Sequence, residues 1–101
     1  MPRGKKCRMV SGLPRYGEFY SKGNCNRNYI IMSVDEYEVI KLIVYLDLTQ
    51  EEAAMRMNIA RTTVQQIYSE SRKKLALMLI TGNPIKITGG NYKICKCCNK
   101  I

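Results

Sequence analysis

The stretch from Thr49 to Ser69, TQEEAAMRMNIARTTVQQIYS, leaves a chain few choices. Thr49 followed three residues later by Glu52 is a capping box, in which hydroxyl and carboxylate each take one orphan amide at a helix start. Ala53, Ala54 and Met57 then share one apolar face, and the alanines are small enough for a second helix to cross closely. Asn58 stands where the chain must turn, and Asn is among the few non-glycine residues that tolerate left-handed backbone. Ile59 follows as an apolar plug. A second helical pattern begins at once, with Val64, Ile67, Tyr68, Ser71, Leu75 and Met78 along one stripe. Two helices in this register, separated by so short a turn, read as a helix-turn-helix.

The opposite face of the second helix carries Arg61, Thr62, Gln65, Gln66 and Ser69, continued by Lys73. Arg can bind guanine bidentately, Gln can do the same for adenine, and Thr or Ser reaches bases or phosphates. An ordinary solvent face would carry more Glu and Lys, although a plain helical hairpin with a polar exterior satisfies the same pattern. The expected partner is therefore double-stranded DNA, with the second helix lying in its major groove.

Charge sorting agrees with a polyanionic partner. The chain of 101 residues has a formal net charge of +9. Basic side chains outnumber acidic ones seven to one in residues 1–32, four to one in 59–83 and four to none in 84–101, whereas residues 33–58 hold two basic and six acidic. The start of the chain is a basic arm, Arg3, Lys5, Lys6 and Arg8, broken by Pro2 and Gly4. It reads equally as a solvated tail and as an arm lying along phosphates or in a minor groove. MPRGKKCRMV has no apolar run behind its basic residues, and Val39 to Leu46 is far too short to cross a bilayer. The simplest location is the cytoplasm.

The expected fold is mainly α, a three-helix core containing the helix-turn-helix, with an irregular N-terminal arm and a short C-terminal β-hairpin. Residues 1–32 form the arm and an irregular segment whose aromatics, Tyr16, Phe19, Tyr20 and Tyr29, are expected to cover the helical core. Residues 33–81 form the helical domain. Its first helix is capped by Ser33 with Glu36, presents Val34, Tyr37, Ile40 and Val44, and flanks them with Leu42, Ile43 and Leu46. Asp35, Glu36 and Glu38 are expected to serve the helix dipole and solubility. Gly82 and Pro84 end the last helix. Residues 82–101 hold the expected hairpin, Ile85 to Ile94 about Gly89-Gly90-Asn91, and a cysteine-rich tail. A hairpin is marginal alone, so it is expected to pack on the helices or pair with another chain, and it is the candidate contact of a homodimer, the state in which a single reading helix gains useful specificity.

At this point the residues carry a resemblance. The chain resembles a small prokaryotic family of predicted DNA-binding proteins, of otherwise unknown function, whose helix-turn-helix is similar to the fourth region of bacterial sigma factors. The matching pieces are RGKKCRMV, Leu13-Pro14, MSVDEYEVIKL, LTQEEAAMRM, RTTVQQIYSESRKKLA and IKITGGNY, covering most of residues 2–92. The resemblance implies sequence-specific DNA binding and transcriptional regulation, and gives base-reading roles to Arg61, Thr62, Gln65 and Gln66. Two departures stand out: Asn58 where the family turn has Gly, and Ala60 where the second helix has a Ser cap. The second forfeits about 1 kcal/mol of capping.

Cys95, Cys97 and Cys98 crowd the tail as C-x-C-C, so Cys95 and Cys98 have the spacing of zinc ligands. A site needs four ligands and the chain has no histidine; Cys7 and Cys25 or a second subunit could complete it, and free thiols satisfy the sequence as well. No cofactor other than this zinc is expected. An enzyme is not expected either, since there is no histidine, phosphate-binding glycine loop or G-x-S-x-G sequence. The alternative to a DNA reader is a protein-interaction module that docks on the transcription machinery without reading bases.

Overall fold

The computed structural model describes residues 8–22, 28–90 and 92–94. These form three α-helices and five short strands: β1 (Arg8–Val10), β2 (Glu18–Phe19), β3 (Ile30–Met32), α1 (Val34–Ile40), α2 (Gln50–Met57), α3 (Arg61–Thr81), β4 (Ile85–Ile87) and β5 (Tyr92–Ile94).

The helix starts follow from local chemistry. Ser33 Oγ accepts the Glu36 amide at 3.3 Å while Glu36 Oε1 accepts the Ser33 amide at 2.9 Å. Thr49 and Glu52 repeat the exchange at 3.0 and 2.9 Å. Beyond α1, the helix continues over Lys41–Tyr45 as a π-turn, in which the Leu46 amide reaches back five residues to the Lys41 carbonyl at 3.0 Å. The wider turn slips the helical phase. Leu42 stays fully buried, but Val44 turns out to be 54% exposed and does not extend the apolar face as its spacing suggested.

The main core is Val39, Leu42, Ala53, Ala54, Met57, Val64 and Ile67, drawn from α1 with its π-turn, α2 and α3. A second cluster, Ile30, Met32 and Ile85, packs against Tyr37, Leu75 and Met78, joining the strands to the later half of α3.

The expected hairpin does not form. β4 pairs antiparallel with β2 and parallel with β3, in the order β2-β4-β3, while β5 pairs in parallel with β1, Arg8 opposite Tyr92. The reason lies at the two glycines, which cap α1 instead of folding the chain back on itself. The Gly89 carbonyl oxygen accepts the Val34 amide at 2.9 Å. Gly90, at φ 101°, lies so close that a Cβ would sit 2.5 Å from Asp35 Oδ1 and 2.8 Å from Ser33 Cβ. Both strands thus have partners within the chain, and neither is a free edge hairpin awaiting a second subunit.

Two further expectations change. The aromatics of the irregular segment do not cover the helical core: Tyr16 and Tyr20 are each 65% exposed, and Tyr20 and Tyr29 pack edge-on against each other with ring centroids 6.2 Å apart. β2 is only two residues long, too short to carry the rings inward. The carboxylates of α1, by contrast, are interior. Asp35, Glu36 and Glu38 are all buried, and each has a cation: Arg8, Lys74 at 2.7 Å and Lys41 at 3.3 Å. Ser11 adds its amide and hydroxyl to Glu38 at 3.2 and 3.1 Å. They pin β1 and α3 to α1 instead of serving solubility. No helix among the described residues is long and apolar enough to cross a membrane.

Candidate nucleic-acid interface

The turn between α2 and α3 fixes the direction of α3. Asn58 takes the left-handed conformation, φ 57° and ψ 46°, as the cap of α2. The Ile59 amide then reaches back to the Ala54 carbonyl at 3.1 Å, the bond pattern that closes a helix through a left-handed residue. Ala60 is extended, φ −71° and ψ 150°, and supplies no side-chain cap to α3. One residue later α3 is under way, its Val64 amide bonded to the Ala60 carbonyl at 3.1 Å.

Burial divides α3 lengthwise. Val64, Ile67 and Ser71 are buried; the Ser71 hydroxyl is satisfied by the Ile67 carbonyl at 2.7 Å, which is how a serine sits in an apolar stripe. Arg61, Thr62, Gln65, Gln66 and Lys73 are exposed, and Ser69 is half-buried. At about 100° per residue, Arg61, Thr62, Gln65, Ser69, Arg72 and Lys73 fall within one face that holds no carboxylate. Arg72 lies over the Tyr68 ring, 4.6 Å from its centroid, a cation–π contact that spacing alone did not reveal.

Gln66 stands at the flank of this face. With Thr63 and Glu70 it lines a cleft of about 440 Å³ whose other wall includes Arg8, Asp35 and Gly90. Arg8 is therefore not a free cation of the arm: its guanidinium is paired with Asp35, whose side chain is 4% exposed. Arg3, Lys5 and Lys6 lie outside the described residues, as do Cys7, Cys25, Cys95, Cys97 and Cys98, and with them the zinc reading. Among the described residues no group of His, Cys, Asp and Glu is placed to hold a metal ion.

Among the described residues two titrations are displaced, both away from this face. The Tyr20 hydroxyl is raised by its hydrogen bond to Glu18, with a further contribution from Tyr29, and the Tyr37 hydroxyl is raised by burial and by the Glu38 charge. Neither belongs to α3. The face can do polar and ionic recognition, with hydroxyl, amide and guanidinium groups on a rigid helix.

Sequence reasoning missed the acid–base lattice behind α3, namely Arg8–Asp35, Lys74–Glu36 and Lys41–Glu38–Ser11. Its one visible signal was three carboxylates within four residues of α1, more than a helix dipole uses.

Residues 1–95 match the family described as "Protein of unknown function DUF134". A UPF0251 protein of Desulfitobacterium hafniense strain Y51 is 48% identical over 97 residues, which cover 94% of this chain and 78% of the relative. A UPF0251 protein of Ruminiclostridium cellulolyticum is 43% identical over 94 residues, 93% of this chain and 73% of the relative. One from Chlorobaculum tepidum is 41% identical over 96 residues, 93% of this chain but 49% of the longer relative. No solved structure matches.

Proposed function

We propose that this chain, which belongs to the DUF134 family of proteins of unknown function, binds double-stranded DNA through a helix-turn-helix formed by α2 and α3 and acts as a transcriptional regulator. The observation that carries this reading is the outward face of α3. Arg61, Thr62 and Gln65 are exposed in its first two turns, Arg72 and Lys73 continue the face, and no carboxylate interrupts it. Arg61 and Gln65 supply the bidentate groups that distinguish guanine and adenine, Thr62 offers a hydroxyl, and Lys73 is a phosphate contact about two turns beyond Gln65. Gln66 reads at the margin of the groove, because Glu70 one turn on repels the phosphates beyond it. The similarity of the α2–α3 segment to the fourth region of sigma factors, and the left-handed Asn58 between the two helices, support the same assignment.

Selection from a random duplex pool tests it. Enrichment of a defined motif, bound with an affinity that falls steeply with salt, is the expected result. Recovery of an unenriched pool, or binding indifferent to salt, overturns it.

A further inference from the structure

A cavity of about 510 Å³ opens between the irregular segment and the end of α1. Tyr16 and Phe19 contribute to it from the irregular segment and β2, Tyr37 and Ile40 from α1, and Lys41 and Tyr45 from the π-turn. Of the chain's one Phe and seven Tyr, the Phe and three of the Tyr therefore meet in one place. A concave space of this volume, walled by rings and holding few polar groups, has the make-up of a small-molecule pocket. The π-turn points the same way, because such turns are rare inside helices and recur at functional sites.

Behind this cavity is a second one of about 200 Å³, walled by Met32, Leu75, Met78 and Ile85 and sharing Phe19, Tyr37 and Ile40 with the first. The shared side chains form a partition with apolar space on both sides. Packed interiors leave few such gaps, so the partition has room to shift when a guest enters. Phe19 in particular is 45% exposed and sits on a strand of only two residues.

The charged groups at the rim decide what the guest carries. Arg15 and Lys41 line the cavity and no carboxylate does. Lys41 is engaged: its Nζ donates to Ser11 Oγ at 2.6 Å, pairs with Glu38 at 3.3 Å and lies 5.5 Å from the Tyr37 ring centroid. Arg15 is exposed and makes no ion pair with any described residue. A single guanidinium beside aromatic walls matches a single carboxylate, taken bidentately, on a ligand whose body is a flat ring.

We propose that this cavity binds a small aromatic carboxylate, with its ring among Tyr16, Phe19, Tyr37 and Tyr45 and its carboxylate on Arg15. None of these residues belongs to the outward face of α3, so binding here does not depend on what that face recognises.

The test titrates the full chain with naphthoate and, as a neutral match, naphthylmethanol, by calorimetry and by aromatic proton shifts. Saturable one-to-one binding of naphthoate is expected, with the resonances of Phe19, the one Phe of the chain, moving in step. Arg15→Gln should weaken it on the order of tenfold, the loss of one charge-assisted contact at an open site. Tyr16→Ala/Tyr45→Ala should weaken it as well. Neither variant should move the thermal midpoint, since all three side chains are exposed. Absence of saturable binding, undiminished binding by Arg15→Gln, or silent Phe19 resonances overturns the proposal. Equal affinity for naphthylmethanol overturns it too, because the anion then has no role. Self-association of the wild type that Tyr45→Glu abolishes, read by sedimentation, would mean that a second copy fills the cavity, and overturns it likewise.

Discussion

Arg8→Ala separates a structural cation from a DNA-binding one. The Asp35 side chain is 4% exposed, its Oδ2 paired with Arg8 and its Oδ1 without a hydrogen-bond partner among the described residues. Removing the guanidinium leaves a buried carboxylate with nothing to compensate its charge. Breaking such a pair costs 3–5 kcal/mol when both partners are interior. Arg8 is 27% exposed, so water entering behind the truncated side chain recovers part of this, and about 3 kcal/mol is the expected loss. For a domain of this size that lowers the thermal midpoint by roughly 12–24 °C. Urea denaturation followed by circular dichroism measures the loss directly. Arg8→Ala/Asp35→Ala should be less destabilised than the sum of its single variants, because it removes the orphaned charge. The salt dependence of DNA binding, read well below the melting temperature, should be the same in Arg8→Ala as in the wild type. A variant that keeps its stability within about 1 kcal/mol but loses close to one unit of salt slope would make Arg8 a phosphate contact, and the reasoning would be refuted.

Other outcomes follow from the same geometry. Gln65→Ala should relax base preference at one or two positions at a cost of about 1–3 kcal/mol, whereas Lys73→Ala should weaken all sequences alike; competition binding against single-base variants of the selected site distinguishes them. Deleting residues 1–6 removes Arg3, Lys5 and Lys6 but spares Arg8, so it should reduce the salt slope of duplex binding by up to about 2.7. Ala60→Ser should stabilise the fold by about 1 kcal/mol, since Ala60 is extended and gives α3 no side-chain cap; equilibrium urea unfolding reads the gain. Gly90→Ala should lower the thermal midpoint, because its Cβ would meet Asp35 Oδ1 at 2.5 Å in a backbone conformation that L-residues avoid.

What the sequence makes legible is what neighbouring residues settle among themselves. The Ser33–Glu36 and Thr49–Glu52 boxes, the left-handed Asn58 and the end of α3 at Gly82 each depend on contacts within a few residues. The candidate face of α3 is legible for the same reason, being set by helical period. Strand partners are not. Ile85-Lys86-Ile87 shows that one face is apolar, yet nothing in that alternation names β2 and β3 as neighbours, or β1 as the partner of β5. Parallel pairing between residues more than 80 apart has no local signature. The exposure of Val44 was hidden because a π-turn breaks the period on which its assignment rested. Burial of the α1 carboxylates was hidden because their cations come from distant parts of the chain.

That burial changes what a net charge of +9 means to a polyanion. Read along the chain, residues 33–58 look like an acidic belt that would repel phosphate. In the fold, Asp35, Glu36 and Glu38 face inward and are each matched by Arg8, Lys74 or Lys41, so their fields cancel within a few ångströms. The same three pairs engage those cations with carboxylates of α1. The acidic residues left at the surface of this region include Glu51 and Glu52, at the N-terminus of α2, where they favour the helix dipole and disfavour an anion from outside. On the proposed DNA-binding reading, a phosphate contact through the start of α2 is disfavoured and a duplex meets α3, where Arg61 and Lys73 are exposed. The acidic helices thus help to orient the basic face instead of opposing it.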